Sequence, residues 1–264
     1  MRLLYHYAKA SFQSQAAYPG SAVLLAFAQF FTTGLELVAM WALFDRFGDL
    51  LGWRFGEVAA FYGLANIQFA IADLLTRGFD VLGTELIRGG GFDRLLVRPR
   101  SLALQLMGHQ VRLSRFGRLA QALVALVVAT EHAPIAWSPL NVAVALWSIA
   151  GGVALFIGLL VLQGALAFFT TESLELANVL TYGGVEAAQY PLAIYARWFR
   201  RLLTWVVPFG AVAYFPVVTI LGRADPLGFP PWTGVFSPLL GFVFLGAAFL
   251  AWRWGVRHYM STGS

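Results

Sequence analysis

Apolar residues in this chain come in long blocks, not in the strict alternation of a strand or the single stripe of a surface helix. A helix needs about 20 mostly apolar residues to cross a bilayer. Six stretches reach or approach that length: residues 21–44, 58–75, 113–130, 140–169, 202–221 and 238–254. The third is apolar mainly in its second half, and Pro208 and Pro216 interrupt the fifth. The pattern predicts an all-α integral membrane protein of six transmembrane helices, forming a single transmembrane domain over residues 1–264. No internal repeat or low-complexity tract breaks it.

The polar positions between the blocks set an orientation. Arg2 and Lys9 precede the first block. Arginines crowd the segment from Arg77 to Arg118, Arg197, Arg200 and Arg201 follow the fourth block, and Arg253 and Arg257 end the sixth. Only Arg46, Arg54 and Arg223 fall on the other side. Cytoplasmic loops carry the excess of positive charge, so both termini and the two long loops are expected in the cytoplasm. Arg2, His6, Lys9 and Gln13 share one helical face, which predicts an amphipathic interfacial helix over residues 1–19. Pro19-Gly20 would turn the chain into the first span. The outer segment 222–237 is rich in Gly, Pro and aromatics. It reads either as re-entrant pieces or as an ordinary outer loop.

Composition agrees with a membrane protein. Of 264 residues, 59% are hydrophobic and 12% charged, with nine tryptophans suited to the bilayer interfaces. Soluble domains carry about 25% charged residues. The first twenty residues are too polar for the apolar core of a signal peptide. There is no cysteine, which excludes disulfides, thiolate metal sites and a cysteine nucleophile. The net charge of +5 is explained by topology, and no nucleic-acid partner is expected. The phosphate-cradling G-x-x-x-x-G-K-[ST], the metal-binding H-E-x-x-H and the nucleophile motif G-x-S-x-G are all missing. The four histidines (His6, His109, His132, His258) are scattered. The chain is therefore expected to bind no cofactor and to catalyse nothing itself. Glu36 and Asp73 are the acidic residues inside blocks, which makes them functional candidates. Gln29, Thr33, Glu36, Asn66 and Gln68 are candidates for lining a substrate path. Each also reads as an interhelical hydrogen-bonding group.

One stretch stands apart: GGGFDRLLVRPRSLALQLMG, residues 89–108, within a cytoplasmic loop expected over 77–112. Glycine at Gly90 permits backbone angles that other residues avoid. Asp93 would cap or charge the start of a short helix. Leu95 and Leu96, with Phe92 close by, would sit in an apolar groove of a partner. Arg94 and Arg98 lie four apart and would meet partner carboxylates. Pro99 ends the helix or begins the next. The second cytoplasmic loop holds Glu172, Glu175 and Tyr182-Gly183-Gly184, the last read as a turn, with Tyr195, Arg197 and Trp198 as an interface anchor. It would serve a structural role or a secondary cytoplasmic contact.

The pattern Glu85, Gly90, Asp93, Leu95, Leu96, Pro99 and Ser101 resembles the cytoplasmic signature of ABC type-2 permeases. TTESLELANVLTYGG, QYPLAIYARWFRRLLTWVVPFGAVAYFP, LGRADPLG and WRWGVRHYMSTGS resemble one six-span subgroup, the ABC-2 family transporter proteins of formerly unknown function. The triple glycine Gly89–Gly91 departs from the family, where charged residues are common. The resemblance implies the ABC type-2 exporter fold in a cell membrane, the inner membrane of a bacterium. It implies an ABC ATPase subunit dimer carrying ATP and Mg. It also implies a second permease, related but not identical, so a heterodimer before a homodimer. Membrane lipids surround the assembly. The loop between spans two and three would be the coupling element, and the cargo a hydrophobic or amphipathic lipid, drug or antibiotic-like molecule. Three other classes stand beside this reading. A self-sufficient secondary transporter predicts paired mid-membrane ionisable groups and inverted repeats. An intramembrane enzyme predicts clustered acids or histidines near one leaflet. A membrane scaffold binding a cytoplasmic partner predicts no transport.

Overall fold

The computed structural model describes residues 19–108, 114–169 and 173–259, with only the backbone of 173–177. Residues 1–18 of the expected interfacial helix 1–19, Arg112 and Glu172, and the side chain of Glu175, lie outside the described residues. The described residues are helical. α1 is Pro19–Phe47 and α2 is Phe55–Asp80, which continues through a π-helical turn, Leu82–Ile87. Two short helices follow, α3 (Phe92–Leu96) and α4 (Leu102–Met107). Then come α5 (Arg115–His132), α6 (Pro139–Leu166) and α7 (Ser173–Ala188). α8 (Arg197–Arg201) runs into a π turn, Leu202–Val206, and a second π turn, Gly210–Tyr214, leads into α9 (Phe215–Ile220). α10 (Thr233–Phe236) and α11 (Leu239–Arg257) close the chain.

Local chemistry fixes several boundaries. Gly48 leaves α1 at φ +83°, a conformation open to glycine. The Glu57 carboxylate accepts the Arg54 backbone N–H at 2.8 Å and so closes the first turn of α2. Ser138 Oγ accepts the Asn141 N–H at 3.2 Å, with Pro139 at the first helical position of α6.

Four segments are long and apolar enough to cross a membrane: Pro19–Phe47, Phe55–Ile87, Pro139–Leu166 and Thr233–Arg257. A fifth exists if the bent pair Arg197–Val206 and Gly210–Ile220, at 82°, counts as one span. By length and composition, then, four segments, or five with the bent pair, are candidate spans, fewer than the six expected. The third expected span became α5, whose Arg115, Arg118 and Glu131 make it too polar for the criterion. It nevertheless lies antiparallel along α2. A Cβ on Gly56 would lie 2.3 Å from the His132 carbonyl carbon, and one on Gly63 would lie 3.0 Å from Leu126 N. Asp73 meets Arg115 at the far end. On its other side α5 touches α1, where a Cβ on Gly117 would fall 2.0 Å from the Ala26 carbonyl oxygen. Small residues let helix backbones approach this closely, as membrane helix packing requires.

α1 buries only one stripe, Thr33, Leu37, Met40 and Phe44, and leaves Phe27, Phe31, Leu35, Val38 and Trp41 open. α6 crosses α11 through Gly151 and Gly241, the latter with its Cβ position 2.0 Å from the Gly151 carbonyl oxygen. One core gathers Phe61, Tyr62, Phe69, Phe156, Phe209 and Tyr214. A second, at the far end, gathers Phe79, Leu82, Phe92, Leu106, Leu160 and Trp252.

Two loop expectations change. Residues 77–87, expected as the start of the first cytoplasmic loop, continue the second span, because Asp73 and Asp80 neutralise Arg77. The second expected loop holds α7, which climbs back into the bundle. Asn178 accepts a hydrogen bond from Gln163 at 3.0 Å, Tyr182 packs on Phe69 at 5.6 Å, and Gly184 abuts Phe209. Tyr182-Gly183-Gly184 is thus mid-helix, not a turn. The chain bends between Val206 and Gly210 against Phe156, deep in α6. The bend leaves Trp198 and Trp205 exposed. Finally, Ser237 donates to the Ala211 carbonyl at 2.7 Å, so the segment after Arg223 folds back beside the broken helix.

Candidate functional site: the α3–α4 element

The glycine-rich exit behaves as its residues demand. Gly90 adopts φ +66°, and a Cβ on Gly89 would lie 2.4 Å from the Glu85 carbonyl oxygen. Glu85 itself is exposed on the π turn. The chain then enters α3, whose faces differ sharply. Phe92 is 0% exposed and Leu95 7%, while Leu96 is 40% exposed and Val97 83%. Of the three apolar side chains expected to enter a partner, Phe92 and Leu95 are instead consumed inside the protomer. The reason is an aromatic cluster the sequence did not announce. Phe92 meets Tyr259 at 4.8 Å and Phe168 at 5.2 Å, and Phe168 meets Trp252 at 5.2 Å.

Asp93 also differs from expectation. Gly91 is the capping residue, without a side-chain cap, and Asp93 lies in the first turn. Its charge still favours the helix dipole, but its carboxylate accepts the Tyr259 hydroxyl at 3.0 Å. Burial, and then this bond to Asp93, push the Tyr259 pKa above the ordinary phenol value. Gln105, 2% exposed, donates to the carbonyls of Leu95 and Arg100, both at 3.2 Å. It ties α4 to α3 across the Pro99 turn. Arg94, Arg98 and Pro99 are exposed with Leu96 and Val97. The element is a rigid stub, gripped from inside by α11 and the end of α6, with a mixed apolar and basic outer edge.

A polar ladder runs along α2 behind this element. Asp73, 1% exposed, meets Arg115 at 2.6 Å and Arg77 at 3.6 Å, and Arg77 also pairs with Asp80. The two acids match the two guanidiniums. Tyr182, placed in the second cytoplasmic loop by sequence, accepts from Arg77 at 3.2 Å and donates to Asp80 at 3.4 Å. Higher up, Arg118 donates to Asn66 Oδ1. Tyr62 donates to Glu36 at 3.0 Å and to the Thr33 carbonyl at 2.7 Å. Gln68 donates to Ser148 and to the carbonyl of Val212, four residues before Pro216, which has no N–H of its own to give.

The candidate path residues therefore divide. All of Thr33, Asn66 and Gln68 are buried; Asn66 and Gln68 bond across helices, which is the interhelical role, whereas the Thr33 hydroxyl donates to the Gln29 carbonyl of its own helix. Gln29 borders a groove of about 500 Å³ with Ala22, Leu25, Thr32 and Arg115, and Glu36 is exposed. Among the described residues no group of three His, Asp or Glu is placed to hold a metal.

This geometry defines a helical multi-pass membrane protein with a short, internally braced helix exposed on one edge at one end of its bundle. The family model for the ABC-2 family transporter protein matches residues 30–263, and the chain belongs to that family. It is a membrane component of an ABC-2 transporter, in a family without catalytic activity of its own, and the family implies an ATPase partner. No curated protein and no solved structure matches the chain.

Proposed function

We propose that this chain is the permease subunit of an ATP-driven exporter and that α3 transmits the stroke of the ATPase. One observation carries this reading. α3 is anchored by Phe92, Leu95 and Asp93, yet presents Leu96 and Val97 outward between Arg94 and Arg98. Exposed apolar side chains ringed by charge, on a rigid support, suit a protein groove better than water. Force on that edge reaches α11 through Tyr259 and Trp252, and α2 through the π turn.

In this reading the α3 end faces the cytoplasm, together with both chain ends. Six crossings then follow: α1, α2, α5, α6, α7 joined to Gly210–Ile220, and α11. α5 and α7 cross despite their polar residues because those residues are paired inward along α2. The open face of α1, with Glu36 and Gln29, meets a second permease of related sequence or the cargo path. An ionisable Glu36 facing lipid would be costly, which supports protein or water on that face. The cargo is hydrophobic or amphipathic.

The test is co-purification of the tagged chain from mild detergent. Wild type should bring down an ABC ATPase, with or without a second permease. Leu96→Asp with Val97→Asp should lose the ATPase while keeping wild-type thermal stability. Retention of the ATPase and of export by that double variant would overturn the assignment of α3.

A further inference from the structure

At the same end of the bundle, a groove of about 630 Å³ opens between α4 and the last turns of α11. Leu102, Met107, Phe249 and Val256 line its apolar part, and Arg253 and Arg257 stand beside it. The volume lies in the range of about 300–1,000 Å³ typical of small-molecule pockets. The two arginines are four residues apart, so one turn of α11 presents both on one face.

Their charge is unbalanced, as it is for exposed arginines elsewhere, but here it borders an apolar groove. Arg77 and Arg115 are matched by Asp73 and Asp80, Arg223 by Glu57, and Arg118 by Asn66. Among the described residues Arg253 and Arg257 have neither an ion pair nor a hydrogen-bond partner. Two unmatched guanidiniums above an apolar trough, where a membrane helix ends, complement one kind of molecule: an amphiphile with an anionic head and a hydrocarbon tail. A guanidinium fork fits phosphate oxygens in pairs. A zwitterionic head gains less, because its ammonium group is repelled by the same arginines.

We propose that this groove binds an anionic glycerophospholipid of the cytoplasmic leaflet, with its phosphate on Arg253 and Arg257. One acyl chain lies along Leu102, Met107, Phe249 and Val256. The leaflet rests on the cytoplasmic orientation proposed above; the lipid chemistry does not. Gln105 ties α4 to α3, so a lipid held between α4 and α11 bridges the ATPase-facing helix and the final span. Such a lipid is either a resident of the transporter or its cargo, and both present the same head and tail.

The test is native mass spectrometry of the full transporter taken from nanodiscs of equal phosphatidylglycerol and phosphatidylcholine. Wild type should retain phosphatidylglycerol in preference. Arg253→Gln with Arg257→Gln should lower that preference about tenfold, whereas Arg197→Gln with Arg201→Gln, an exposed pair of the same spacing on α8, should leave it unchanged. Met107→Trp, which keeps both charges and fills the trough, should also lower retention and guards against a folding artefact in the arginine variant. Equal retention of the two lipids by wild type would overturn the proposal. So would an equal loss in the Arg197/Arg201 variant. Adding ATP separates the sources: retention through turnover marks a resident, and transfer to the opposite leaflet marks cargo. Orientation is tested apart from this. The chain lacks cysteine, so a single cysteine at Val97 that labels only from outside would remove the leaflet assignment and leave the lipid result standing.

Discussion

Arg118 gives Asn66 two hydrogen bonds, from Nε at 3.0 Å and from Nη2 at 2.8 Å, and lies over the Phe69 ring at 4.6 Å. A buried cation is thereby held by a neutral amide and a ring face, and α5 is fastened to α2. Breaking a buried charged arrangement from one side costs about 3–5 kcal/mol, because the other charge stays behind unpaired. Asn66→Leu should therefore destabilise more than Arg118→Met, which removes the charge itself. Thermal unfolding in detergent measures both. If Arg118→Met proves the worse of the two, the guanidinium is not held chiefly by Asn66.

Two adjacent glycines in α7 give opposite expectations. A Cβ on Gly183 meets nothing within 4 Å, whereas one on Gly184 would lie 2.1 Å from the Phe209 ring. Gly183→Ala should stabilise by up to about 1 kcal/mol through helix propensity. Gly184→Ala should destabilise by about 1–3 kcal/mol through overpacking. Equal effects on the melting temperature would argue that α7 does not enter the bundle.

At the opposite end Arg223 Nη1 donates to both Glu57 oxygens at 2.9 Å and Nη2 to the Gly52 carbonyl at 2.9 Å, while the guanidinium stacks on Trp53 at 4.1 Å. Charged hydrogen bonds of this kind contribute about 1.5–3 kcal/mol. Arg223→Met should release the segment after α9 and expose it to added protease, with faster cleavage between Gly222 and Trp232. Unchanged cleavage would show that the Tyr214–Asp225 bond, at 2.6 Å, holds the segment by itself.

The Tyr259–Asp93 contact sets a pH dependence. The hydroxyl donates only while protonated, and its pKa is raised by burial and by Asp93. A raised folded-state value means the contribution is complete below the unfolded value of about 10 and is lost as pH rises through the folded one. A spin label at Val97 should keep its mobility through neutral and mildly alkaline pH, then gain mobility in strong alkali. Tyr259→Phe should be looser at neutral pH and show no alkaline step. The same step in both proteins would place its origin elsewhere.

Length of apolar run and charge distribution depend on the chain alone. The membrane class, the four helices long and apolar enough to cross and the unusual character of residues 89–108 were therefore readable directly. So was the glycine requirement at Gly90, because no other residue adopts φ +66° cheaply. Partnership was not readable. α7 reads as a loop, and the first half of α5 as that helix's polar part, until Arg115, Arg118 and Tyr182 find Asp73, Asn66 and Asp80 on α2, at sequence separations that no local pattern encodes. The inward turn of Phe92 and Leu95 likewise depends on Phe168, Trp252 and Tyr259, which arrive from other parts of the chain. A sequence states which groups must be solvated, paired or buried. Only the tertiary structure decides with whom, because that choice is made by distances between segments far apart along the chain.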